Sequence, residues 1–474
     1  MGRVGTNRKG ERTMLETVAI KAVEQNEEML VGLAKKIWEH PETAYNEVKA
    51  CEWIAEALRN AGFEVEVGYA DLPTAIKATW GKGHPIIGFL GEYDALPGMS
   101  QKVCATKDPV EAGAPGQGCG HNLLGVACLG GALGMKAELE ASGKEGTVVY
   151  YGCPAEEALT GKTFMARNGA FTDLDLALSW HGGSVTGMNC GTANGLNSAI
   201  FHFHGVTAHA GGDPHNGRSA LDAVELMNVG ANYLREHVTS DVRIHYVIKE
   251  GGTAPNIVPD KASVWYYVRA TSREAIEDTY NRLVKVAEGA AHMTETKLEI
   301  EFLGGCYNTL NNKVMTDVAC DIVKNLPGPQ WTQKELDFAQ KLNEQSPQYE
   351  AMKAAGLLEG APIYTGEAQI SYRSGGGSTD VGDVQHIVPC MMMTTATCNK
   401  AAPGHSWQIT ACAGMSIGEK GMIYGAKVLA ATAMKMVDDP KLVEAAKAEF
   451  AESMKGKEYK CPIPKEVPIP QPQK

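Results

Sequence analysis

The 474-residue chain lacks several features that would place it in specialised classes of protein. No apolar run reaches about 18 residues, so a membrane-spanning helix is not expected. Asp and Glu outnumber Lys and Arg, and the net charge of −12 argues against a nucleic-acid partner, which would need a basic face. No internal repeat is visible. Composition and length instead indicate a globular protein of two or three domains.

The chain also lacks a compact cysteine framework and an export signal. Its 12 cysteines are scattered, and in a chain of this size they are expected to be reduced thiols of a cytoplasmic enzyme. The basic start up to Thr13 is not followed by an apolar segment. It is therefore expected to be a disordered extension rather than a signal peptide, with Met14 as an alternative start.

Short apolar runs alternate with helical segments in the first part of the chain. The runs PIIGFLGEYD, TVVYYGCPAEE and LDLALSWHGG are typical of strands buried in a parallel sheet, and each ends in acidic or histidine residues. Open α/β sheets bind ligands at the carboxyl ends of such strands. The pattern predicts an α/β domain with its functional site at that edge.

A different pattern begins at about residue 198. There the order β-α-β-β-α-β is that of the ferredoxin-like split. It predicts a separate domain over 198–304, inserted in a catalytic domain of residues 15–197 and 305–460. The polar stretch 328–377 is expected to be an insertion with a flexible, Gly-rich end, and 461–474 an extended, Pro-rich tail.

Sulfur, imidazole and carboxylate groups follow the predicted strands and turns. Each of these side chains alone more often has a structural role. Carboxylates and imidazoles gathered in a dry cleft, however, need a partner that offsets the free-energy cost of their burial, and a divalent cation is such a partner. The groups are Glu92, Asp94, Cys119, His121, Glu156, Glu157, His181 and His405. Their number favours two ions, and the composition indicates zinc, manganese or cobalt, with zinc suited to the thiolate and imidazoles and manganese admitted by the carboxylates.

An alternative interpretation makes Cys119 and His121, in GQGCGHN, a nucleophile and its base. This interpretation is weaker, because two side chains two residues apart in a glycine turn more readily face a common ion.

The motifs HPET, GEYDALPG, GCGHN, GCPAEE, LSWH, GVTAHAGGDPHNGRSALDA, GGTAPNIVP, STDVGDV and HSWQ occur in this order. Together they resemble the amidohydrolase branch of the aminoacylase/carboxypeptidase-type dinuclear metallopeptidases, from about residue 30 to the tail. The resemblance implies cleavage of N-acyl amino acids, with p-aminobenzoyl-glutamate as the favoured substrate and dipeptides or other acyl amino acids as alternatives. It also implies that the inserted domain serves as a lid or dimerisation domain.

The resemblance further implies roles for the strand-end residues. Metal ligands would be Cys119, His121, Glu157, His181 and His405, with Cys119 bridging two ions, either Zn or Mn. Glu156 would be the general base that takes a proton from the attacking water, and Asp94 would orient groups of the metal site. The wider family has a histidine where Glu92 stands, as expected for a branch that uses a cysteine instead.

Three residues of the inserted domain complete the implied site. His209 would reach the active site of a neighbouring subunit and stabilise the oxyanion. Asn256 and Arg269 match positions near the substrate carboxylate, although an exposed strand residue is an equal interpretation of Arg269. The implied assembly is a homodimer or homo-oligomer. An accessory subunit that needs a protein A partner remains the alternative.

Overall fold

The computed structural model describes residues 17–473. The expected N-terminal extension up to Thr13, and the alternative start at Met14, lie outside the described residues. The described chain forms two β-sheets, each with its own hydrophobic core. Within residues 17–473, no helix is long and apolar enough to cross a membrane.

The strands of the described chain are numbered in sequence order. They are β1 (Glu64–Val67), β2 (Ile76–Lys82), β3 (Ile86–Gly91), β4 (Gly146–Gly152), β5 (Leu176–Gly183), β6 (Gly187–Asn189), β7 (Gly195–His204), β8 (Arg243–Glu250), β9 (Lys261–Ala270), β10 (Lys297–Cys306), β11 (Gln369–Ser371) and β12 (Cys390–Ala396).

The α-helices are numbered in the same way. They are α1 (Val18–Gln25), α2 (Glu27–Glu39), α3 (Val48–Asn60), α4 (His121–Ser142), α5 (Gly161–Arg167), α6 (Ala220–Leu234), α7 (Arg273–Thr294), α8 (Lys313–Asn325), α9 (Gln333–Glu344), α10 (Tyr349–Ala354), α11 (Val381–Gln385), α12 (Trp407–Ala413), α13 (Ser416–Asp438) and α14 (Pro440–Ser453).

The larger sheet has the order β1-β2-β4-β3-β5-β12-β6-β11. Its four central strands, β4, β3, β5 and β12, run parallel, whereas β2 is antiparallel to β4 and β6 is antiparallel to β12. Helices cover both faces, which explains why the sequences of the central strands are almost continuously apolar. The predicted α/β class with a mostly parallel sheet is confirmed, and the four central strands end at one common edge.

Helix α4 is buried along most of its length, which explains the apolar sequence LLGVACLGGALGM. It packs between the large sheet and helices α1 and α13. A Cβ atom added at Gly134 would lie 2.6 Å from the Cβ of Ala430, and one at Gly130 would lie 2.9 Å from that of Ala426. Glycines opposite alanines therefore let α4 and α13 approach closely. This packing fixes the helix whose first residue is His121.

The smaller sheet has the order β10-β7-β9-β8, with every neighbouring pair antiparallel. With α6 and α7, the chain follows β-α-β-β-α-β, the ferredoxin-like connectivity that the sequence predicts. Along β7, Phe201 and Phe203 are buried, whereas His202 and His204 face outwards and pair with glutamates of β10. This alternation follows the two-residue period of a strand and leaves one face of the sheet polar.

The polar stretch 328–377 contains helices α9 and α10 and strand β11. Thr332 and Glu335 form a capping box that begins α9. Glu335 also accepts hydrogen bonds from the Ser416 hydroxyl at 2.5 Å and the Lys420 amine at 2.8 Å. Because Ser416 begins α13, one buried carboxylate joins this stretch to the main core.

The C-terminal tail lies along α5. Arg167, at the end of α5, donates hydrogen bonds to the carbonyl oxygens of Pro464 at 2.9 Å and Val467 at 2.8 Å. Ile463 is buried in the cluster that also contains Phe164. The tail thus packs against the helix that follows the Glu156–Glu157 pair in the sequence.

Candidate metal centre

Polar side chains follow three neighbouring parallel strands at the same edge of the large sheet. Glu92 and Asp94 come directly after β3, Glu156 and Glu157 come after β4, and His181 lies near the end of β5. All five side chains are largely or fully buried. The parallel course of the strands is what brings them together, as the sequence predicts.

The GQGCGHN turn adds Cys119 and His121 to this edge. Gly120 has a φ of 81°, a left-handed conformation that favours glycine, and α4 begins at the next residue. A Cβ at Gly116 would overlap the main chain of Met99, so the turn needs glycine there as well. The His121 ring is fully buried. The glycine run therefore lets the chain place a thiol and an imidazole at the sheet edge.

Three groups of side chains offer ligand atoms within 4.8 Å of one another, namely Glu92 with His121 and Glu156, and two groups that contain Cys119. The first of these two is Cys119 with His121 and His181, and the second is Cys119 with Glu157 and His405. The Cys119 Sγ lies 3.3 Å from Nε2 of His181, and Nε2 of His405 lies 3.5 Å from Oε2 of Glu157. The five residues that the resemblance implies as ligands are thus brought together, and the two groups that contain Cys119 share one sulfur atom.

Two buried atoms of these groups have no hydrogen-bond partner among the described residues. They are Nε2 of His121 and Oε1 of Glu157. A buried polar atom without a partner costs free energy, so such atoms normally face a partner, which includes bound ions and water. Thiolate, imidazole and carboxylate are the donors that zinc accepts, and the residues therefore fit a divalent cation.

Asp94 connects the two groups. Its Oδ1 accepts a hydrogen bond from Nδ1 of His121 at 2.9 Å, which directs Nε2 of that ring towards Cys119 and His181. Its Oδ2 accepts a hydrogen bond from the main-chain N–H of Glu157 at 2.8 Å. Burial would raise the pKa of Asp94, but the neighbouring His121 outweighs burial and lowers it. The carboxylate can therefore orient one residue from each group.

Glu156 is buried but belongs to neither of the two groups that contain Cys119. Burial raises its pKa well above the ordinary value, and the nearby charge of Glu92 raises it further. Burial likewise raises the pKa of the Cys119 thiol to about 12. The Glu156 carboxyl and the Cys119 thiol would thus hold their protons at neutral pH unless a positive charge is bound beside them.

The main chain is strained on both sides of this centre. Ala155, directly before Glu156, has a φ of 57°, and His405 has a φ of 50°, a region that side-chain-bearing residues rarely adopt. The buried Glu47 carboxylate accepts a hydrogen bond from the Ala155 N–H at 2.8 Å. At Gly161 an added Cβ would overlap the Pro154 carbonyl, so glycine is needed where this turn enters α5.

Sequence reasoning missed a buried ion-pair network behind the two groups. Lys162, at the start of α5, is fully buried and contacts both Glu92 and Asp380. Asp380 lies in the STDVGDV motif, whose sequence alone indicates no role for its individual residues. The position of Lys162 in GKTF carries no sequence signal for burial.

A cavity of about 390 Å³ opens beside the ligand groups. Its wall includes Glu92, Cys119, Glu156, His181 and His405. The remaining wall contains apolar side chains, among them Leu124, Met392 and Ile409. A small molecule with a flat or apolar part could therefore enter beside the buried acids.

The three implied residues of the inserted domain do not line this cavity. His209 and Asn256 occupy adjacent exposed loops, joined by a hydrogen bond from the Ala210 N–H to the Asn256 carbonyl. Arg269, on β9, is half-buried, stacks on Tyr267 at 5.2 Å and has no hydrogen-bond partner for its buried Nε within residues 17–473. The cavity wall within one chain thus lacks all three.

Comparisons with known proteins agree with this fold. A model for the peptidase dimerisation domain of the M20 family matches residues 192–294. The B subunit of the p-aminobenzoyl-glutamate hydrolase of Escherichia coli (strain K12) is 38% identical over 94% of this chain and 97% of its own length. The Xaa-Arg dipeptidase of Mus musculus is 27% identical, with 94% of each chain covered.

Among solved structures, the Bacillus subtilis YXEP protein, a dinuclear metal-binding peptidase of the M20 family, has the same fold. The TM-score is 0.56 at 17% identity, over 88% of this chain and 99% of that one. Fold, sheet-edge residues and relatives together define a hydrolase that acts on amide bonds. The chain belongs to the M20 family of metallopeptidases and amidohydrolases, as the sequence motifs predict.

Proposed function

We propose that this protein is a metal-dependent amidohydrolase that cleaves N-acyl amino acids, with p-aminobenzoyl-glutamate as its preferred substrate. The observation that carries the proposal is the pair of ligand groups that share Cys119, with the buried Glu156 beside them. The substrate follows from the name of the relative that is 38% identical over nearly the whole chain. The products would be p-aminobenzoate and glutamate.

Cys119, His121 and His181 would hold one divalent ion, and Cys119, Glu157 and His405 would hold a second. When bound, such ions polarise a carbonyl group and lower the pKa of a water molecule. Zinc is favoured by the thiolate and the three imidazoles, and manganese remains the alternative because the set includes a carboxylate.

Glu156 acts as the proton carrier in this proposal. It takes a proton from the attacking water as the oxygen adds to the amide carbonyl, and it then delivers that proton to the leaving amine nitrogen. Burial and the neighbouring Glu92 raise the pKa of Glu156, so the positive charge of the bound ions would be needed to restore the carboxylate that accepts the first proton. Asp94 keeps the His121 ring in a fixed orientation throughout.

His209 supplies the oxyanion donor from a neighbouring subunit. Its Nδ1 accepts hydrogen bonds from the N–H groups of Gly211 at 3.1 Å and Gly212 at 2.8 Å. A neutral ring that accepts at Nδ1 carries its proton on Nε2, which is therefore free to donate. This tautomer supports a role in stabilising the negative oxygen formed during attack.

Recognition of the substrate is divided between two regions in this proposal. Apolar cavity residues such as Leu124 and Met392 suit an aromatic acyl group. Arg269 and Asn256 would bind the carboxylate of the leaving amino acid, and the unpartnered Nε of Arg269 supports this role. Dipeptides are a second substrate class, because a relative of similar coverage is named as an Xaa-Arg dipeptidase.

The proposed assembly is a homodimer built through the inserted domain. Its helix α6 exposes Val229 and Tyr233, with Tyr233 74% exposed, and its edge strand β8 exposes Val247. Exposed apolar side chains on a helix and on an open sheet edge are suited to bury against a second copy. A heteromer with a protein A subunit is the alternative, since the relatives include both the B and the A subunits of the Escherichia coli hydrolase.

The proposed location is the cytoplasm. All 12 cysteines are free thiols, which is typical of proteins kept in a reducing compartment. A reducing compartment would also keep Cys119 in the form that binds metal.

The test uses the purified chain alone, supplied in turn with zinc and with manganese. Elemental analysis gives the ions per chain, a size column gives the assembly, and a panel of amides gives the substrate. The expected result is two ions per chain and fastest cleavage of p-aminobenzoyl-glutamate. Cleavage that appears only after a protein A subunit is added would favour the accessory role. Fastest cleavage of dipeptides would favour the second substrate class.

A further inference from the structure

The loop between α2 and α3 contacts the turn that carries Glu156, and the proposed reaction gives this loop no role. It comprises residues 40–47, HPETAYNE, and ends at Glu47, whose side chain is fully buried. The loop also forms a parallel bridge between Thr43 and Ala95, the residue directly after Asp94. It therefore contacts two of the segments that carry acidic residues of the candidate metal centre.

The Glu47 carboxylate is directed at the turn after β4. Its Oε1 accepts hydrogen bonds from the N–H groups of Ala155 at 2.8 Å and Tyr45 at 2.9 Å. Its Oε2 accepts one from the Thr74 hydroxyl at 3.2 Å. Glu47 directly precedes α3, where a side chain can cap a helix, yet within residues 17–473 its carboxylate makes no capping hydrogen bond to α3. This buried acid thus contacts the turn instead of its own helix.

The main chain of that turn is costly to maintain. Ala155 and Leu159 each have a φ of 57°, a left-handed conformation that is unfavourable for residues with a side chain. At the far end of the turn, the Tyr45 hydroxyl contacts the Thr160 hydroxyl. The loop therefore holds the turn at both ends, and Glu156 lies between these two contacts.

Two carboxylates hold different parts of the turn. Asp94 accepts a hydrogen bond from the N–H of Glu157 at 2.8 Å, whereas Glu47 accepts one from the N–H of Ala155, directly before Glu156. A change at Glu47 leaves the contact between Asp94 and Glu157 in place. The Glu47 contact therefore acts mainly on Glu156, because a rotation of the main chain at Ala155 redirects the next side chain.

We propose that Glu47 is a positioning residue that fixes the direction of the Glu156 side chain through the Ala155 N–H. The inference rests on the proposed function, in which Glu156 carries the proton. Proton transfer requires an acid within hydrogen-bond reach of the reacting atoms, and a misplacement of about 1 Å can lower the rate by about 10²-fold. The cavity wall that the described residues form does not include Glu47, so substrate binding should not depend on it.

The competing explanation is that Glu47 only stabilises the fold. Removal of a buried acceptor leaves its donors without a partner, which lowers the free energy of unfolding whatever the function. That explanation predicts lower unfolding temperatures for Glu47 variants and a wild-type kcat for the molecules that stay folded and metal-loaded. The two explanations therefore differ in kcat.

The experiment compares three substitutions at Glu47 in the full, metal-loaded chain. Glu47→Gln keeps the length of the side chain and an oxygen that accepts both N–H groups, but it has no charge. Glu47→Asp keeps the charge but is shorter by one methylene group, and Glu47→Leu removes both acceptor oxygens. The measurements are kcat and KM for p-aminobenzoyl-glutamate, metal content by elemental analysis, and the unfolding temperature.

We expect Glu47→Gln to keep a kcat close to that of wild type. The kcat should fall by about 10-fold in Glu47→Asp and by about 10²-fold in Glu47→Leu, with KM and metal content at wild-type values. Metal content should be unchanged because Asp94 still holds the Glu157 N–H. A role in charge alone would reverse the order of Glu47→Gln and Glu47→Asp.

Glu42→Leu is the matched control. Glu42 lies in the same loop, but its Oε2 accepts hydrogen bonds from the N–H groups of Lys49 at 3.0 Å and Ala50 at 3.1 Å, at the start of α3. This variant should have a lower unfolding temperature and a wild-type kcat. A Glu42→Leu variant as slow as Glu47→Leu would overturn the inference, because any lost contact of the loop would then have the same effect.

Two further outcomes would also overturn it. One is a wild-type kcat in Glu47→Asp, because the length of the side chain would then not matter. The other is a Glu47→Gln variant as slow as Glu47→Asp. Both of these substitutions keep a polar group in the buried site, so the comparison decides the matter even where Glu47→Leu does not fold.

Failure of the proposed function would look different. In that case the metal-loaded wild-type chain would cleave no N-acyl amino acid, or Glu156→Gln would turn over as fast as wild type. Neither result depends on Glu47. An inactive Glu156→Gln together with a wild-type kcat in Glu47→Asp would instead leave the proposed function intact and remove only the role of Glu47.

Discussion

The edge of the large sheet and the loops of the inserted domain hold their polar residues in opposite ways. At the sheet edge, Asp94 fixes His121 and Glu157, which are largely buried, and each has one atom without a hydrogen-bond partner in the described part of the chain. In the inserted domain, His209 and Asn256 are exposed, and neither lines the cavity of its own chain. The first region has its geometry built within one chain, whereas in the proposed function the second contributes to chemistry only beside another subunit.

The largest expected effect tests the sheet edge. Glu156→Gln should lower kcat by about 10²–10⁴-fold, because an amide cannot carry the proton from water to the leaving amine. Metal content should stay at the wild-type value, since Glu156 lies outside both groups that contain Cys119. The measurements are steady-state kinetics and elemental analysis of the same preparation.

Glu157→Gln is the matched control for that variant, as the neighbouring residue with the same substitution. It should lose metal together with activity. Turnover of Glu156→Gln close to that of wild type would remove the assignment of the general base.

The next effect tests the inserted domain. His209→Ala should lower kcat by about 10²–10³-fold at unchanged metal content, the usual loss when one oxyanion donor is removed. Mixing this variant with Glu156→Gln under conditions of subunit exchange should recover about a quarter of wild-type activity, because half of the dimers are hybrids with one complete site. Labelled subunits confirm the exchange. Exchange without recovery would mean that His209 does not act across subunits.

A smaller effect concerns the half-buried Arg269, whose exposure is intermediate between that of the sheet-edge residues and that of the loop residues of the inserted domain. Arg269→Ala should lower kcat/KM, because loss of a charged hydrogen bond to the substrate carboxylate removes about 1.5–3 kcal/mol of transition-state stabilisation. The control is a matched substrate pair, an acyl amino acid and its carboxyl-amidated form. Wild type should discriminate between them and the variant should not. Equal kcat/KM values in wild type would show that Arg269 is only a strand residue.

The smallest effect concerns assembly. Tyr233→Asp, on the exposed face of α6, should weaken the dimer by about 1–2 kcal/mol, or about 5–30-fold in Kd. Activity should then depend on protein concentration, because His209 would no longer reach a neighbouring site. Tyr372→Asp is the control, since Tyr372 is similarly exposed at 68% but lies outside the inserted domain. Sedimentation at several concentrations measures the change.

Sequence alone predicted the parts of the site that follow directly from strand order. Parallel strands end at one edge, so residues after β3, β4 and β5 had to meet there, and they do. The glycine turn around Cys119 and the ferredoxin-like connectivity were also predicted, because both depend on local sequence. The family was predicted from the ordered motifs and is confirmed by the relatives.

The sequence did not reveal the buried network. Lysine is almost never fully buried unless paired, so the sequence GKTF gives no reason to expect Lys162 in the interior. Its partner Asp380 lies 218 residues away in the chain and follows a glycine-rich stretch whose composition predicts flexibility. The place of β2 in the sheet was also beyond the reach of the sequence. Only tertiary packing shows that β2 joins the central strands as an antiparallel neighbour.

The single sulfur atom shared by the two ligand groups has a consequence for the lifetime of the enzyme. In the proposed ligand set, oxidation of Cys119 to a sulfenic acid removes a ligand from both groups at once. Exposure to peroxide should therefore release both ions together, so that partly oxidised preparations contain chains with two ions or none rather than chains with one. Thiol reduction followed by metal addition would restore them. In the proposed ligand set, the shared thiolate would make amide cleavage depend on the redox state of the cell as well as on its metal supply.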